Sequence, residues 1–401
     1  MKIIHIVLGK ANPSRANGVN KVVHSLSCWL HNKGIKTEVW GITTTPFATT
    51  PDRPYPLKLF KANMLSFLPP KELINKMEKL SKDTIIHFHG VLIPVFSKIA
   101  ILSIQLGLPY VITPHSALSH QALQRRSWRK KFYIKLFEKS HLIRSARVQA
   151  LADNEALDIK KLAYESSITI IPNGIDLPKK SATKEKIYYQ TDPPIFGYVG
   201  RIEQYQKGLD ILLEGFVIYR NNKGIGRLVI VGNGPDMEWM KKKIKYFGLE
   251  QSVSVTGPLF NKDLQDIRDT ITTVVHPSRW EGIAMALLES FAMGIPAIVS
   301  YGTNLADIVS QYNAGWRIPN DDVQGLAEAL KLAQVASTEG TINQFSLSAK
   351  KLVKEKFSWD YAGNRILKDI YAIKVRLQDY MNVVNVGNIK TILILNIINK
   401  G

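Results

Sequence analysis

Short apolar runs recur along the chain, with longer amphipathic stretches between them. Residues 3–8, 38–42, 84–88, 110–113, 147–151 and 168–171 are rich in β-branched side chains and bounded by Gly, Pro or polar residues. A short apolar run with little polar alternation predicts a strand buried on both faces. Residues 19–33 instead repeat their apolar positions at helical spacing. Strands alternating with helices predict a parallel sheet covered by helices on both sides. The pattern lapses over residues 176–194, which are polar and marked by Pro178, Pro193 and Pro194. It then resumes with predicted strands at 195–199, 227–231, 253–256, 273–276 and 296–300. The lapse is read as a linker between two doubly wound domains. The predicted boundaries are 1–180 and 181–375, the second domain carrying a terminal helix, with a tail of unassigned structure at 376–401.

Open parallel sheets bind ligands at the carboxyl ends of their strands, so the strand-to-helix turns are where chemistry is expected. One such turn is Gly200-Arg201-Ile202-Glu203-Gln204-Tyr205-Gln206-Lys207-Gly208, between a predicted strand and a predicted helix at 209–219. Arg201 offers a planar fork of donors and Lys207 a compact positive charge, a pair suited to a diphosphate. An ordinary basic turn reads the same way. A second turn holds Glu281 and Glu289, with Pro277 and Gly282 punctuating it and a helix predicted over 285–293. Eight helical steps span roughly 12 Å, about the reach from sugar to ribose in an extended nucleotide sugar. The amides of Gly282, Ile283, Ala284 and their neighbours would then meet the diphosphate between the two carboxylates. Glu281 can instead merely favour the helix dipole.

Taken together, these turns resemble those of family 4 glycosyltransferases, over about residues 1–372. The resemblance rests on Gly200-Arg201 with Lys207, on Val231-Gly232-Asn233-Gly234-Pro235, on the paired glutamates, and on Ile171-Pro172-Asn173-Gly174-Ile175-Asp176. It implies the GT-B architecture, two Rossmann-like domains facing a central cleft. It also implies a retaining transferase that moves a sugar from a nucleotide-diphosphate donor, such as a UDP- or GDP-sugar. Arg201 and Lys207 would stabilise the departing diphosphate, Glu281 contact the sugar and Glu289 the ribose. Gly232 would begin a donor-binding turn, and backbone near Thr256 to Pro258 would hold the base. In the first domain, Gly18 would let a loop press on the diphosphate, and His115 of Thr113-Pro114-His115-Ser116 would be the cleft histidine. Ser116 and Ala284 depart from the residues usual at their positions, and Glu155 matches a family pattern only loosely.

Composition adjusts this picture. The formal net charge is +20, which implies an anionic partner. Residues 125–147 concentrate it, with Arg125, Arg126, Arg129, Lys130, Lys131, Lys135, Lys139, Arg144 and Arg147 among aromatic residues. An anionic membrane surface is the preferred reading, with a solvated helix and nucleic acid as alternatives. The resulting expectation is a cytoplasmic protein, peripheral on the inner face of the plasma membrane, acting on a glycan or lipid-linked acceptor and not on nucleic acid. The one cysteine, Cys28, excludes an internal disulfide and a cysteine-rich zinc site. His87 and His89 fall on one face of a strand, but nothing adjacent in sequence completes a metal site. No Asp-x-Asp occurs, so neither a metal nor another cofactor is expected, and cations and helix ends are left to stabilise the diphosphate. The alternatives are another nucleotide-sugar enzyme of this fold, such as an epimerase, and a basic nucleic-acid-binding protein, for which no recognition motif is present. A dehydrogenase is disfavoured, because Gly232-Asn233-Gly234 lacks the third glycine of a dinucleotide fingerprint.

Overall fold

The computed structural model describes residues 1–12, 18–47, 52–62, 68–119, 123, 133–178 and 193–373. The chain forms two compact units: Met1–Ile171 together with the segment from Gly363 onward, and Pro172–Ala362.

The first unit is built on a parallel sheet of β1 (Lys2–Leu8), β2 (Lys36–Thr43), β3 (Leu57–Lys61), β4 (Thr84–His89), β5 (Tyr110–Thr113), β6 (Arg147–Ala150) and β7 (Ile168–Ile170). Their order is β3-β2-β1-β4-β5-β6-β7. The central strands β1 and β4 are buried almost throughout, as strands covered on both faces must be. The helix Gly18–Asn32 lays Val22, Val23, Leu26 and Leu30 inward. Ile4, Ile6, Ile86, Phe88, Phe96 and Ile112 form the centre of the core.

The second unit repeats the plan. Its strands are β8 (Ile195–Val199), β9 (Arg227–Val231), β10 (Val253–Gly257), β11 (Thr273–His276), β12 (Ala297–Ser300) and β13 (Gly315–Ile318). They run parallel in the order β10-β9-β8-β11-β12-β13. The chain starts each sheet near its middle, so the strand order reverses there and leaves a crevice at the carboxyl ends.

The apolar pattern locates eleven of these strands, but β3 and β13 escape it. Both are short edge strands. β3 reads Leu-Lys-Leu-Phe-Lys and β13 Gly-Trp-Arg-Ile, because an edge faces solvent along one side and tolerates charge. Three expectations need correction. The motif 171–176 does not close the first domain. Pro172 begins the second unit, where the Ile175 amide donates to the Phe357 carbonyl at 2.7 Å. A Cβ on Gly174 would lie 2.4 Å from the Trp359 ring, so only glycine fits there. Second, the terminal helix belongs not to the second unit but to the first, from Gly363. Its Tyr371 is buried and hydrogen-bonded to His87 at 2.6 Å. Third, the helix holding Glu289 starts at Met285 as predicted, so Glu281 to Ala284 lie outside it and the eight steps from Glu281 to Glu289 are not all helical. Residues 179–192 of the expected linker and the tail at 376–401 lie outside the described residues.

Tyr371 therefore ties the end of the chain into the first core. Tyr371→Phe removes the hydroxyl and strands a buried imidazole nitrogen, a loss of about 1–3 kcal/mol. Hydrogen exchange should show the first unit opening more readily while the second is unchanged. Equal protection in both proteins would remove the anchoring role.

Candidate functional site

Each unit carries candidate functional residues at its strand ends. In the second unit, Gly200 follows β8 and Gly232 follows β9. A Cβ on Gly232 would sit 1.8 Å from the Gly200 carbonyl oxygen, and its φ of +148° also favours glycine. The two turns thus touch backbone to backbone, with the Ile202 amide donating to the Asn233 carbonyl at 3.0 Å. This contact lifts Arg201 to the surface, where it is exposed. Its side chain makes no hydrogen bond or ion pair among the described residues, so its fork of donors is available to a ligand.

Lys207 and Glu281, 74 residues apart in sequence, meet in an ion pair at 2.9 Å between side chains that are 16% and 8% exposed. The second carboxylate oxygen of Glu281 accepts from the Ser278 hydroxyl at 2.6 Å. Burial alone would raise the Glu281 carboxyl, but Lys207, His276 and Ser278 outweigh it and hold the group below its ordinary value. The turn carrying Glu281 is fixed by its own amide, which donates to Gly302, and by Asn304, which donates to the carbonyls of Glu281 and Gly282. Ala284 precedes the helix Met285–Ala292 and supplies no side-chain cap, and the first turn has no acidic residue. Gly282, Ile283 and Ala284 therefore lead into a helix end whose positive dipole no carboxylate cap offsets. Glu289 pairs with Arg268 at 2.5 Å, a partner that sequence spacing does not reveal.

Two further residues of this unit escaped the sequence reading. His276, at the end of β11, is buried, neither ring nitrogen is hydrogen-bonded among the described residues, and burial lowers its pKa to about 4. It lies against the Tyr198 ring, 5.1 Å between centroids. Arg279 is held by both oxygens of Asp210 at 2.9 Å, by Asp321 at 2.6 Å and by the Tyr205 carbonyl at 2.7 Å. It acts as a clasp between loops, since its donors are already engaged by the protein.

In the first unit, β1 and β4 pair His5 with His87 in register, and β4 pairs His89 with Thr113 of β5. His115 follows two residues after β5, at φ +54°, with Ser116 at +61°. Glu155 holds this unusual turn. Its buried carboxylate accepts from the Ser116 amide at 2.5 Å and the Leu151 amide at 2.7 Å, and burial raises its pKa to about 7 against those two hydrogen bonds. The loose sequence match at Glu155 thus marks a residue that shapes the His115 turn. Gly18 is exposed at the start of its helix, while the loop at 13–17 lies outside the described residues.

The hydrogen bonds around His87 can be read in one direction only. Gln149 donates its amide to the Ile171 carbonyl at 2.9 Å, so its oxygen must accept, and Thr113 donates to it at 2.9 Å. Thr113 then accepts from His87 Nε2, and His87 Nδ1 accepts from Tyr371. His5, His87 and His89 do bring ligand-type atoms within 4.8 Å of one another. Both nitrogens of His87 are nevertheless bonded to hydroxyls, and His5 bonds His89 at 2.9 Å. Metal ligation would have to break these bonds.

Of the basic stretch, 125–132 lies outside the described residues. Its remaining carboxylate, Glu138, is fully buried and accepts from the Leu92 amide and from His141. Among the described residues, no helix is long and apolar enough to cross a membrane.

The chain is similar to known glycosyltransferases. The family model for Glycosyltransferase Family 4 matches residues 16–179, and that for Glycosyl transferases group 1 matches residues 193–333. An uncharacterized glycosyltransferase of Methanocaldococcus jannaschii is 28% identical over 53% of this chain, and the match spans only 56% of that relative. An Escherichia coli UDP-Gal:alpha-D-GlcNAc-diphosphoundecaprenol alpha-1,3-galactosyltransferase is 27% identical over 65% of this chain and 69% of its own length. Among solved structures, Anabaena HepE in complex with UDP and glucose superposes with a TM-score of 0.71 at 15% identity, covering 93% of this chain and 100% of that one. This last likeness establishes the fold, GT-B.

The Lys207–Glu281 pair yields a test of its own. Removing one member of a buried pair strands the other charge, at a cost of roughly 3 kcal/mol. Lys207→Met should therefore lower the unfolding midpoint of the second unit, and adding Glu281→Gln should recover most of the loss. Because the pair depresses the Glu281 carboxyl, its contribution is full above the ordinary carboxylate range and is lost as pH falls through the lower folded value. Strictly additive losses from the two substitutions would show that the groups are not coupled.

Proposed function

This chain belongs to the glycosyltransferases described by those two family models, and we propose that it moves a sugar from a nucleotide-diphosphate donor to a glycan or lipid-linked acceptor, with retention of configuration. The observation that carries this reading is the second unit's cluster at its strand ends. It combines an exposed Arg201, the Lys207–Glu281 pair and a helix start without a carboxylate cap. Arg201 and Lys207 face the charge that builds on a leaving diphosphate, and amides near Gly282, Ile283 and Ala284 add oriented dipoles. Glu281, kept ionised, accepts from sugar hydroxyls, and Glu289, oriented by Arg268, accepts from the ribose. Gly232 keeps the donor turn low. The UDP in the HepE structure and the UDP-galactose and lipid-diphosphate named for the E. coli relative support a nucleotide-sugar donor and a lipid-linked acceptor. Cell-envelope or capsular polysaccharide synthesis is the setting proposed. No metal or other cofactor takes part in this scheme.

Removing Arg201 should cost about a hundredfold in transfer, on the order of 3 kcal/mol for a lost electrostatic donor. Glu289→Gln should weaken binding of a nucleoside diphosphate, whereas Glu281→Gln should spare that binding and impair transfer. Calorimetry with UDP and GDP, then a transfer assay with and without EDTA, separates these effects. Full Arg201→Ala activity would sink the diphosphate assignment, equal affinity losses at both glutamates would sink the two-ended geometry, and metal-rescuable inactivation by EDTA would sink the metal-free scheme.

The acceptor reading includes peripheral attachment to an anionic membrane through residues 125–147. A second basic surface supports it: the helix Met237–Tyr246 carries Lys241, Lys242, Lys243 and Lys245 beside Tyr246, which is 79% exposed. Each such cation adds about 1 kcal/mol near an anionic surface, screened by salt. Binding is expected on phosphatidylglycerol vesicles and not on phosphatidylcholine, weakened by salt and by Gln at Arg125, Arg126, Lys130 and Lys131. Co-sedimentation that ignores lipid charge, or the four substitutions, would refute it.

A further inference from the structure

A second imidazole chain runs beside the first. His5 Nδ1 lies 2.9 Å from His89 Nε2, and His89 Nδ1 lies 3.2 Å from His115 Nε2. The His89 ring lies 4.0 Å from that of His87 and is stacked on that of His115 at 5.4 Å between centroids. Desolvation keeps all of these imidazoles neutral near pH 7, with His5 lowered to about 3 and His115 to about 4. His87 and His89 are also pushed well below the ordinary value by burial and by their histidine neighbours. A neutral imidazole has one N–H and one lone pair, so each link in this chain has a donor end and an acceptor end. Once one link is oriented, the other follows.

The far end decides the orientation. His5 Nε2 is buried and has no hydrogen-bond partner among the described residues. If His115 donated to His89 and His89 to His5, that nitrogen would be an N–H buried without an acceptor, and such donors are rare in folded proteins. In the opposite sense, His5 donates through Nδ1 and only an unused lone pair is left at Nε2. His89 then donates from Nδ1 to His115 Nε2, and the remaining proton of His115 sits on Nδ1. That nitrogen makes no hydrogen bond among the described residues, and Glu155 fixes the backbone turn beneath it through Ser116.

We propose that His89, oriented by His5, is a positioning residue that holds His115 as its Nδ1–H tautomer, so that His115 meets its ligand as a hydrogen-bond donor while its one lone pair, at Nε2, is held by His89 and is not free to act as a base. Only the activity arm of the test rests on the transferase reading. The tautomer can be read without any substrate.

The experiment uses the full chain with 15N-labelled histidine and long-range proton–nitrogen correlation spectra near pH 7.5. His115 should show a protonated-type shift at Nδ1 and a bare-nitrogen shift at Nε2. His89→Leu should replace this single pattern with a tautomer mixture and lower kcat roughly ten- to hundredfold, the scale of a misplaced contact, with nucleotide affinity unchanged. His89→Gln, whose amide can still donate, should restore both the spectrum and most of the rate. A proton on Nε2 of His115 in the unmodified chain would overturn the proposal, whether or not any variant folds. It would also be overturned by an unchanged pattern in folded His89→Leu, or by one equivalent of tightly held zinc that shifts His5, His87 and His89 together. Absence of sugar transfer to any acceptor would refute the function and leave the tautomer result standing.

Discussion

A strand covered on both faces offers its side chains no water, and this constraint governs both units. Apolar residues satisfy it by packing. A polar residue on such a strand must find its partner inside the protein or bear a desolvation penalty. The polar residues on β1, β4, β5 and β6 therefore form connected hydrogen-bond chains, His5 with His89 and His87 with Thr113 and Gln149. Buried polar networks of this kind hold one arrangement, because each changed bond leaves another group unsatisfied.

The same constraint shapes the strand ends, where the chain leaves the sheet and water becomes available. The second unit keeps Lys207 and Glu281 nearly dry and therefore paired, while Arg201, two residues beyond β8, stands exposed. Dry pairing fixes geometry, and exposure keeps charge available for an anionic ligand. The glycine turns at Gly200 and Gly232 bring two backbones into contact that a single methyl group would separate. Neither unit needs an unusual fold for this. Each uses the carboxyl end of an ordinary parallel sheet, with loops tied down by residues such as Arg279, Glu155 and Asn304.

Charge follows a different logic. A net charge of +20 acts over the whole surface and sets the kind of partner attracted, not the fold. Burial selects within it. Glu138, the lone acid in the basic stretch, is spent on the Leu92 amide and on His141 inside the first unit.

The sequence by itself determined two parallel sheets, because runs such as 84–88 and 273–276 are short, rich in β-branched residues and separated by helical stretches. It also placed the candidate residues Arg201, Lys207, Glu281 and His115 directly after predicted strands. The edge strands β3 and β13 stayed illegible because solvent on one side removes the apolar signature. Only the tertiary structure joined Lys207 to Glu281, gave Glu289 its partner Arg268, recruited Glu155 to the His115 turn and returned Tyr371 to His87. Those contacts span 21 to 284 positions, far beyond the few residues over which helical or strand periodicity speaks. A buried hydrogen bond depends on which groups lose water together, and that is decided only when the sheets close over them.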